Sequence, residues 1–270
     1  MHITILGSGG SLPTPRIGCS CPVCTKARTI GAPYARHSSA MFLHEANALF
    51  DCPEDISASV NAGRIERIDA LFLTHWHPDH CFGLRLLMES GYGVYRDVAT
   101  KRFSLFVPQK VYPTLIKVYP ALTHQLQTLH TADLRLLADR ELVTLGATTI
   151  QPIGFAEAES DTFAYLIRNE AKHAVLYSPC DTLSFRTYRE FRHLDLWITE
   201  CGCFSDYPRE IGMDEAMRRI EEIAPGRTIF THIEEEELRM FGWDYMEAII
   251  QRYPHLAFEF AHDMMELHVE

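Results

Sequence analysis

His75-Trp76-His77-Pro78-Asp79-His80 places three histidines and an aspartate within six residues. The apolar run Ala70-Leu71-Phe72-Leu73 precedes it, and Gly83 follows it. The stretch reads as a buried strand over 70–74 that stops where a helix over 80–90 starts. His75 and His77 are two apart, so in extended chain they share a face. Pro78 holds residue 77 out of the helical region. Asp79 and His80 then open the next element. Neutral imidazoles and a carboxylate suit Zn²⁺, Mn²⁺ or iron. A chance cluster of surface histidines is a poor account of four candidate ligands at this spacing, so a hydrolytic metal centre is expected.

Outward from this segment, short apolar or alternating runs predict strands at 3–6, 103–107, 148–153, 163–167, 174–177, 194–199, 228–230, 258–260 and 266–269, with a hairpin over 39–43 and 48–51. Helices are expected at 56–62, 110–118, 185–191 and 243–252. Another covers 213–223, where Met213, Ala216, Met217, Ile220 and Ile223 keep helical spacing. Residues 121–142 show no decisive pattern. Strands in two groups with helices among them predict an α/β domain, with helices outside a pair of sheets.

The 270 residues are 47% hydrophobic, enough for a well-buried core. With 25 basic and 36 acidic residues the formal charge is −11, which disfavours nucleic acid and anionic membranes as partners. No apolar run reaches the length of a membrane span. Residues 1–7 lack a basic region ahead of their apolar stretch and read as a first strand rather than a signal peptide. A cytoplasmic location is therefore expected, with the eight cysteines as thiols or metal ligands rather than disulfides. Three of them stand together in Gly18-Cys19-Ser20-Cys21-Pro22-Val23-Cys24, a zinc-ligand spacing in a loop that a bound ion would pin.

His75, His77, Asp79, His80 and Gly83 resemble the His-x-His-x-Asp-His-x-x-Gly signature of the metallo-β-lactamase superfamily. Leu49-Phe50-Asp51, Ser178-Pro179-Cys180-Asp181-Thr182 and Phe230-Thr231-His232 resemble later landmarks in the same order. The resemblance implies a four-layer αββα metallo-β-lactamase sandwich, with residues 1–270 as a single domain and two metals in the cleft between its sheets. It implies that His75 and His77 hold one metal, that Asp79, His80 and His232 hold the other, and that Asp181 bridges them. Asp79 and Asp181 are then the catalytic carboxylates. Read alone, Asp181 is as readily a helix N-cap, and His232 an ordinary loop histidine.

The cysteine loop narrows the resemblance to PhnP-like phosphodiesterases of cyclic ribose phosphates. The PqqB proteins of cofactor biosynthesis carry a related loop. Trp197-Ile198-Thr199-Glu200-Cys201 and Phe260-Ala261-His262-Asp263-Met264-Met265-Glu266 also resemble PhnP-like members. This implies one structural zinc on Cys19, Cys21 and Cys24. Three departures stand out. Where the superfamily supplies a further histidine, residues 154–161 have none; Glu157 or Glu159 is the candidate substitute, with solvated loop acids as the alternative. Where PhnP completes its structural site with histidine, this chain has Glu235, with Cys201 or Cys203 as alternatives. Where PhnP places a proton-donating histidine, it has Ile211-Gly212-Met213, so a general acid must come from elsewhere. Arg36 and His37 are read as surface groups, with phosphate contact as the alternative.

The expected protein is a metal-dependent hydrolase of a small, cyclic phosphodiester acting through a metal-bound hydroxide. It would carry two active-site divalent ions (zinc or manganese, with iron as an alternative) and one structural zinc. No nucleic acid or membrane partner is expected, and a homodimer is left open. A single-metal accessory protein and an ester or thioester hydrolase are the alternatives.

Overall fold

A computed structural model describes residues 1–93, 98–99, 102–155, 161–201, 203–204 and 211–270. The first half supplies strands β1 (His2–Gly7), β2 (Ala40–Leu43), β3 (Ala48–Phe50), β4 (Ala70–Phe72), a ribbon of β5 (Tyr92–Gly93) and β6 (Val98–Ala99), then β7 (Phe103–Pro108) and β8 (Ala132–Leu137). The second half supplies β9 (Val143–Leu145), β10 (Thr148–Gly154), β11 (Phe163–Asn169), β12 (Ala174–Ser178), β13 (Leu196–Glu200), β14 (Arg227–Thr231), β15 (Phe258–Phe260) and β16 (Met265–His268). The helices are α1 (Pro22–Ile30), α2 (Ile56–Ala62), α3 (Pro78–Cys81), α4 (Leu84–Ser90), α5 (Tyr112–Val118), α6 (Ala121–Gln127), α7 (Met213–Ile223), α8 (Glu235–Phe241) and α9 (Asp244–Arg252).

Two seven-stranded sheets result, ordered β16-β1-β2-β3-β4-β7-β8 and β15-β14-β13-β12-β11-β10-β9. Strand alternation decides which side chains meet between them. Ile3, Ile5, Phe50, Phe72, Phe106, Tyr165, Tyr177, Ile198 and Ile229 face inward and form one buried cluster. Phe72 stacks on Phe50 and Phe106 at 5.1 and 4.4 Å, and Tyr165 and Tyr177 meet Phe50 edge-on. Burying each such ring contributes about 2–3 kcal/mol. The Tyr165 hydroxyl donates to the Leu73 carbonyl at 2.7 Å, tying the sheets directly beneath His75. Alternate residues face outward. Leu49, Leu71 and Leu105 pack under α2, α4, α5 and α6, while Leu166, Leu176 and Trp197 pack under α1, α7, α8 and α9. This is the expected αββα sandwich.

Several segments differ from expectation. The helix expected over 80–90 is broken into α3 and α4 at Phe82-Gly83. At Gly83 the Cys52 carbonyl accepts the backbone N–H at 2.8 Å, and an added Cβ would sit 2.0 Å from the Pro53 carbonyl. The close approach bends the chain and admits only glycine. The helix expected over 185–191 is instead a pair of short 3₁₀ turns, Thr182–Ser184 and Thr187–Glu190. Residues 121–142, left unassigned, form α6 and β8, and α1 and α8 flank the cysteine loop without having been foreseen.

Candidate metal centre

The strands that carry the cleft run parallel within each sheet: β3 with β4, and β12 with β13 and β14. Their carboxyl ends point to one edge of the sandwich, where loops from both sheets meet. Asp51 follows β3, His75 to His80 follow β4, Cys180 and Asp181 follow β12, and His232 follows β14. Asp51, Asp181 and His232 all adopt positive φ, at 62°, 55° and 55°. Such non-glycine residues cost on the order of 1 kcal/mol each and persist where surrounding contacts enforce them.

Those contacts are visible at Asp51, which is fully buried. It accepts from the Thr74 backbone N–H at 2.8 Å, from the Thr74 hydroxyl, and from His80 Nδ1 at 2.8 Å. A carboxylate accepts only, so Nδ1 carries the proton and Nε2 points into the cleft. The His80 ring lies 4.2 Å from that of His75 and 5.3 Å from that of His232, centroid to centroid. His75 and His77 are 4.4 Å apart. An Asp79 oxygen lies 3.3 Å from His80 Nε2 and 3.4 Å from His232 Nε2. His75, His80 and His232 are buried, whereas His77 is exposed at the mouth. The geometry therefore brings together His75, His77, Asp79, His80 and His232.

Burial, then the neighbouring His80 and His77, holds the His75 pKa well below its ordinary value. Burial opposes charge on Asp79, yet His80 and His232 outweigh it and keep the carboxyl far below the usual range. At His232 burial is likewise outweighed, by Asp79 and Glu234, and the pKa is pushed up to about 10. His232 thus holds a proton against burial that His75 does not, and a bound cation would displace it. Among the described residues, His75 Nε2, His80 Nε2 and both ring nitrogens of His232 are buried without a hydrogen-bond partner. A buried polar atom in that state costs about 1–3 kcal/mol. Several such atoms converging beside a carboxylate fit a divalent cation.

One residue of this cleft escaped the sequence reading. Cys180 Sγ lies with the donor atoms of His75 and His77 in one group, and with those of His80 and His232 in another, all within 4.8 Å of one another. Its only signal in the sequence is its place one residue before Asp181. Asp181 accepts from the Ser184 hydroxyl at 3.0 Å and from the Thr162 hydroxyl at 3.3 Å, and its charge acts on His77. The turn that carries both is clamped from α7. The buried Arg219 guanidinium donates to the backbone carbonyls of Thr182, Leu183 and Phe185. Glu157 and Glu159 lie outside the described residues.

The cysteine loop forms a second, separate cluster. Cys21 caps α1, and Cys24 lies inside its first turn. Cys19, Cys21, Cys24 and Glu235 offer four donor atoms within 4.8 Å of one another. The Cys24 thiol donates to Glu235 Oε1 at 3.1 Å, and Arg16 pairs with Glu235 Oε2 at 2.9 Å. Glu235 is fully buried at the start of α8. It is therefore Glu235, rather than Cys201 or Cys203, that joins this group among the described residues. Burial and the neighbouring Glu235 push the Cys24 thiol up to about 12, again a proton that a cation would displace.

Arg36 requires a correction: it is 4% exposed, not a surface group. Its guanidinium donates to Ser8 Oγ at 2.7 Å and to the Ala261 carbonyl. The neighbouring His37 donates its backbone N–H to Asp263 and pairs with it through Nδ1, each at 2.7 Å. The same carboxylate accepts from the Ser8 backbone and hydroxyl. Both residues fasten the loop after β1 to the chain before β16.

Comparison with known proteins follows the same lines. A ribonuclease Z from Clostridium tetani is 33% identical over 87 residues, 31% of this chain and 22% of that protein. The curated relatives it matches are longer, and the matched segment spans about a fifth of their length. A diphosphatase of the PhnP family superposes with a TM-score of 0.74 at 23% identity, covering 100% of this chain and 98% of the other. Zn²⁺-bound PqqB from Methylobacterium extorquens superposes with a TM-score of 0.79 at 17% identity, covering 100% of each chain. The model of the beta-lactamase superfamily domain matches residues 46–233, from the loop before β3 to the residue after His232, and so takes in the whole cleft. On that match and on its αββα fold, the chain belongs to the metallo-β-lactamase superfamily.

Proposed function

We propose that this chain is a metal-dependent hydrolase of a small, cyclic phosphodiester, with two divalent ions in the cleft. The observation that carries the reading is the convergence of buried, unpartnered imidazole nitrogens from both sheets on Asp79. His75 and His77 would hold one ion, and Asp79, His80 and His232 the other. The turn bearing Cys180 and Asp181 would supply the donor between them. Bound there, such ions acidify water and neutralise charge on phosphate oxygens.

The chain's own residues do the rest. Asp51 fixes His80 through Nδ1 and leaves Nε2 for the ion. Asp79 faces both His80 and His232 and would share an ion with them, and His77 stands exposed at the mouth of the cleft. Zinc suits the imidazole donors, and a structural zinc at Cys19, Cys21, Cys24 and Glu235 fits the second cluster. The net charge of −11 favours a small substrate over an extended nucleic acid. No helix among the described residues is long and apolar enough to cross a membrane.

The test is metal analysis of the purified chain together with turnover of bis-p-nitrophenyl phosphate. Two ions beyond the cysteine-held one, and turnover lost on chelation and regained on metal addition, are expected. A chain that binds only the cysteine-held ion and hydrolyses no phosphodiester would instead be an accessory protein.

A further inference from the structure

We infer that His2, His44 and Glu266 form a further metal site on the outer face of the first sheet, suited to an exchangeable divalent ion of the zinc and copper type. The site lies apart from the cleft and does not depend on what the cleft binds.

Strand direction places it. β1 pairs antiparallel with β2, and β2 antiparallel with β3, so β1 and β3 run the same way. β3 ends at the cleft, and His2, the first residue of β1, therefore lies at the opposite end of the sheet. β16 pairs antiparallel with β1 in a register that sets Thr4 across from Glu266 and His2 across from His268. Ile3, Ile5, Met265 and Leu267 face the core between the sheets. Alternation turns His2, Thr4, Glu266 and His268 to the outer face. His44 reaches the group from the 3₁₀ turn that follows β2.

There the donor atoms face one another. One donor atom from each of His2, His44 and Glu266 lies within 4.8 Å of the others. Thr4 Oγ1 sits among them, 2.7 Å from His44 Nε2 and 3.0 Å from each Glu266 oxygen. His2 Nε2 pairs with Glu266 Oε2. The His2 ring stacks on those of His44 and His268, with centroids 3.8 and 4.6 Å away. Stacking holds two donor imidazoles side by side in advance, so less side-chain freedom is lost on binding. Protonating both rings would set like charges against each other, whereas one divalent ion serves both lone pairs and neutralises the carboxylate. Any proton on a coordinating Nε2 moves to Nδ1 or to solvent. Zinc–nitrogen bonds of about 2.0–2.1 Å require the donors to close up slightly. His2 and Glu266, with side chains 35% and 49% exposed, have the room to do so.

The donor set decides the ion. Two imidazoles and a carboxylate suit zinc, copper or nickel, whereas magnesium and calcium take oxygen donors. Three protein donors leave a position for water, so the ion can exchange. β16 is an edge strand paired only with β1 in its sheet. An ion on this site would also tie it to the turn between β2 and β3, joining three segments far apart in the chain.

The test titrates Zn²⁺ calorimetrically into the full-length chain as purified, comparing the parent with His2→Gln, His44→Gln and Glu266→Gln. Ions taken up at the cleft or the cysteine loop are common to all four proteins and cancel in the comparison. The parent is expected to bind one ion more than each variant at concentrations that just fill the site. Each substitution should weaken that ion by more than about tenfold, the least that loss of even an outer partner causes. A hundredfold excess of Zn²⁺ over the dissociation constant should raise the parent's thermal midpoint about 5 °C further than that of His44→Gln. Equal uptake and an equal midpoint rise in the parent and His44→Gln overturn the site. An ion lost in both histidine variants but held at full affinity in Glu266→Gln overturns the carboxylate's place in it. Circular dichroism of each variant separates these outcomes from failure to fold.

Discussion

The two ligand clusters of this chain are built on opposite plans. The cysteine cluster draws three of its four groups from one short loop and closes them with a buried carboxylate from α8. The cleft draws its groups from the ends of three strands in two sheets and leaves His77 exposed at the mouth. A closed set of four protein donors suits a structural ion, and an open set leaves room for water and substrate. The difference teaches that one fold can keep a closed donor set, suited to an ion that would hold the chain, apart from an open one suited to ions that would react.

The comparison breaks first at His80. His80→Ala should lower turnover by more than about a thousandfold, the scale on which a metal-activated nucleophile contributes. The cysteine-held metal should remain. Metal counting and bis-p-nitrophenyl phosphate assays check both, and equal loss from the two clusters would mean that they are not independent.

The complementary variant is Cys24→Ser. It should empty the loop and lower stability by roughly 3 kcal/mol, the scale of a cross-link that restrains the unfolded chain. Turnover per cleft ion should persist well below the melting temperature. Thermal denaturation with and without chelator measures the loss, and an unchanged midpoint would remove the structural role.

A subtler distinction concerns what supports each ligand. Asp51→Asn keeps the shape but weakens acceptance from His80 Nδ1. Cleft metal affinity should fall by about 10–100-fold, as when an outer partner of a ligand is lost. Competition with a metal indicator reads the change, and the cysteine cluster should show none.

The smallest effect is expected from pH at a residue outside both clusters. The hydrogen bond to Asp263 raises the His37 pKa against its burial. The stabilisation from this pair is complete below the ordinary histidine range and is lost as pH rises through the raised value. His37 is about a third exposed, so the slope should be shallow. Urea midpoints between pH 6 and pH 8.5 should fall slightly in the parent and stay flatter in His37→Asn. A parent midpoint that rises with pH would contradict the sign.

Much of this plan was legible because it rests on local pattern. Short apolar runs placed β4 and β12, and a hairpin pattern placed β2 and β3. His75, His77, Asp79 and His80 are visible as candidate ligands because one strand end carries them all. What was not legible depends on groups distant in the chain. Gly83 breaks a helix because the Pro53 carbonyl occupies the space of a Cβ. Arg36 is buried because Ser8 and Ala261 satisfy its guanidinium. Beyond Ser178 the strand alternation ends, and a turn held by Arg219 and Glu200 decides how residues 180 and 181 meet the cleft. Sequence pattern has no purchase on that arrangement.

His232 and Glu235 lie three residues apart, joining the last strand end of the cleft to the first turn of α8. Glu234 between them accepts from Ser11, and His232 adopts its left-handed backbone immediately before them. Only Ile233 and Glu234 separate the two residues, so whatever holds Glu235 in its buried place also restrains the backbone that aims His232.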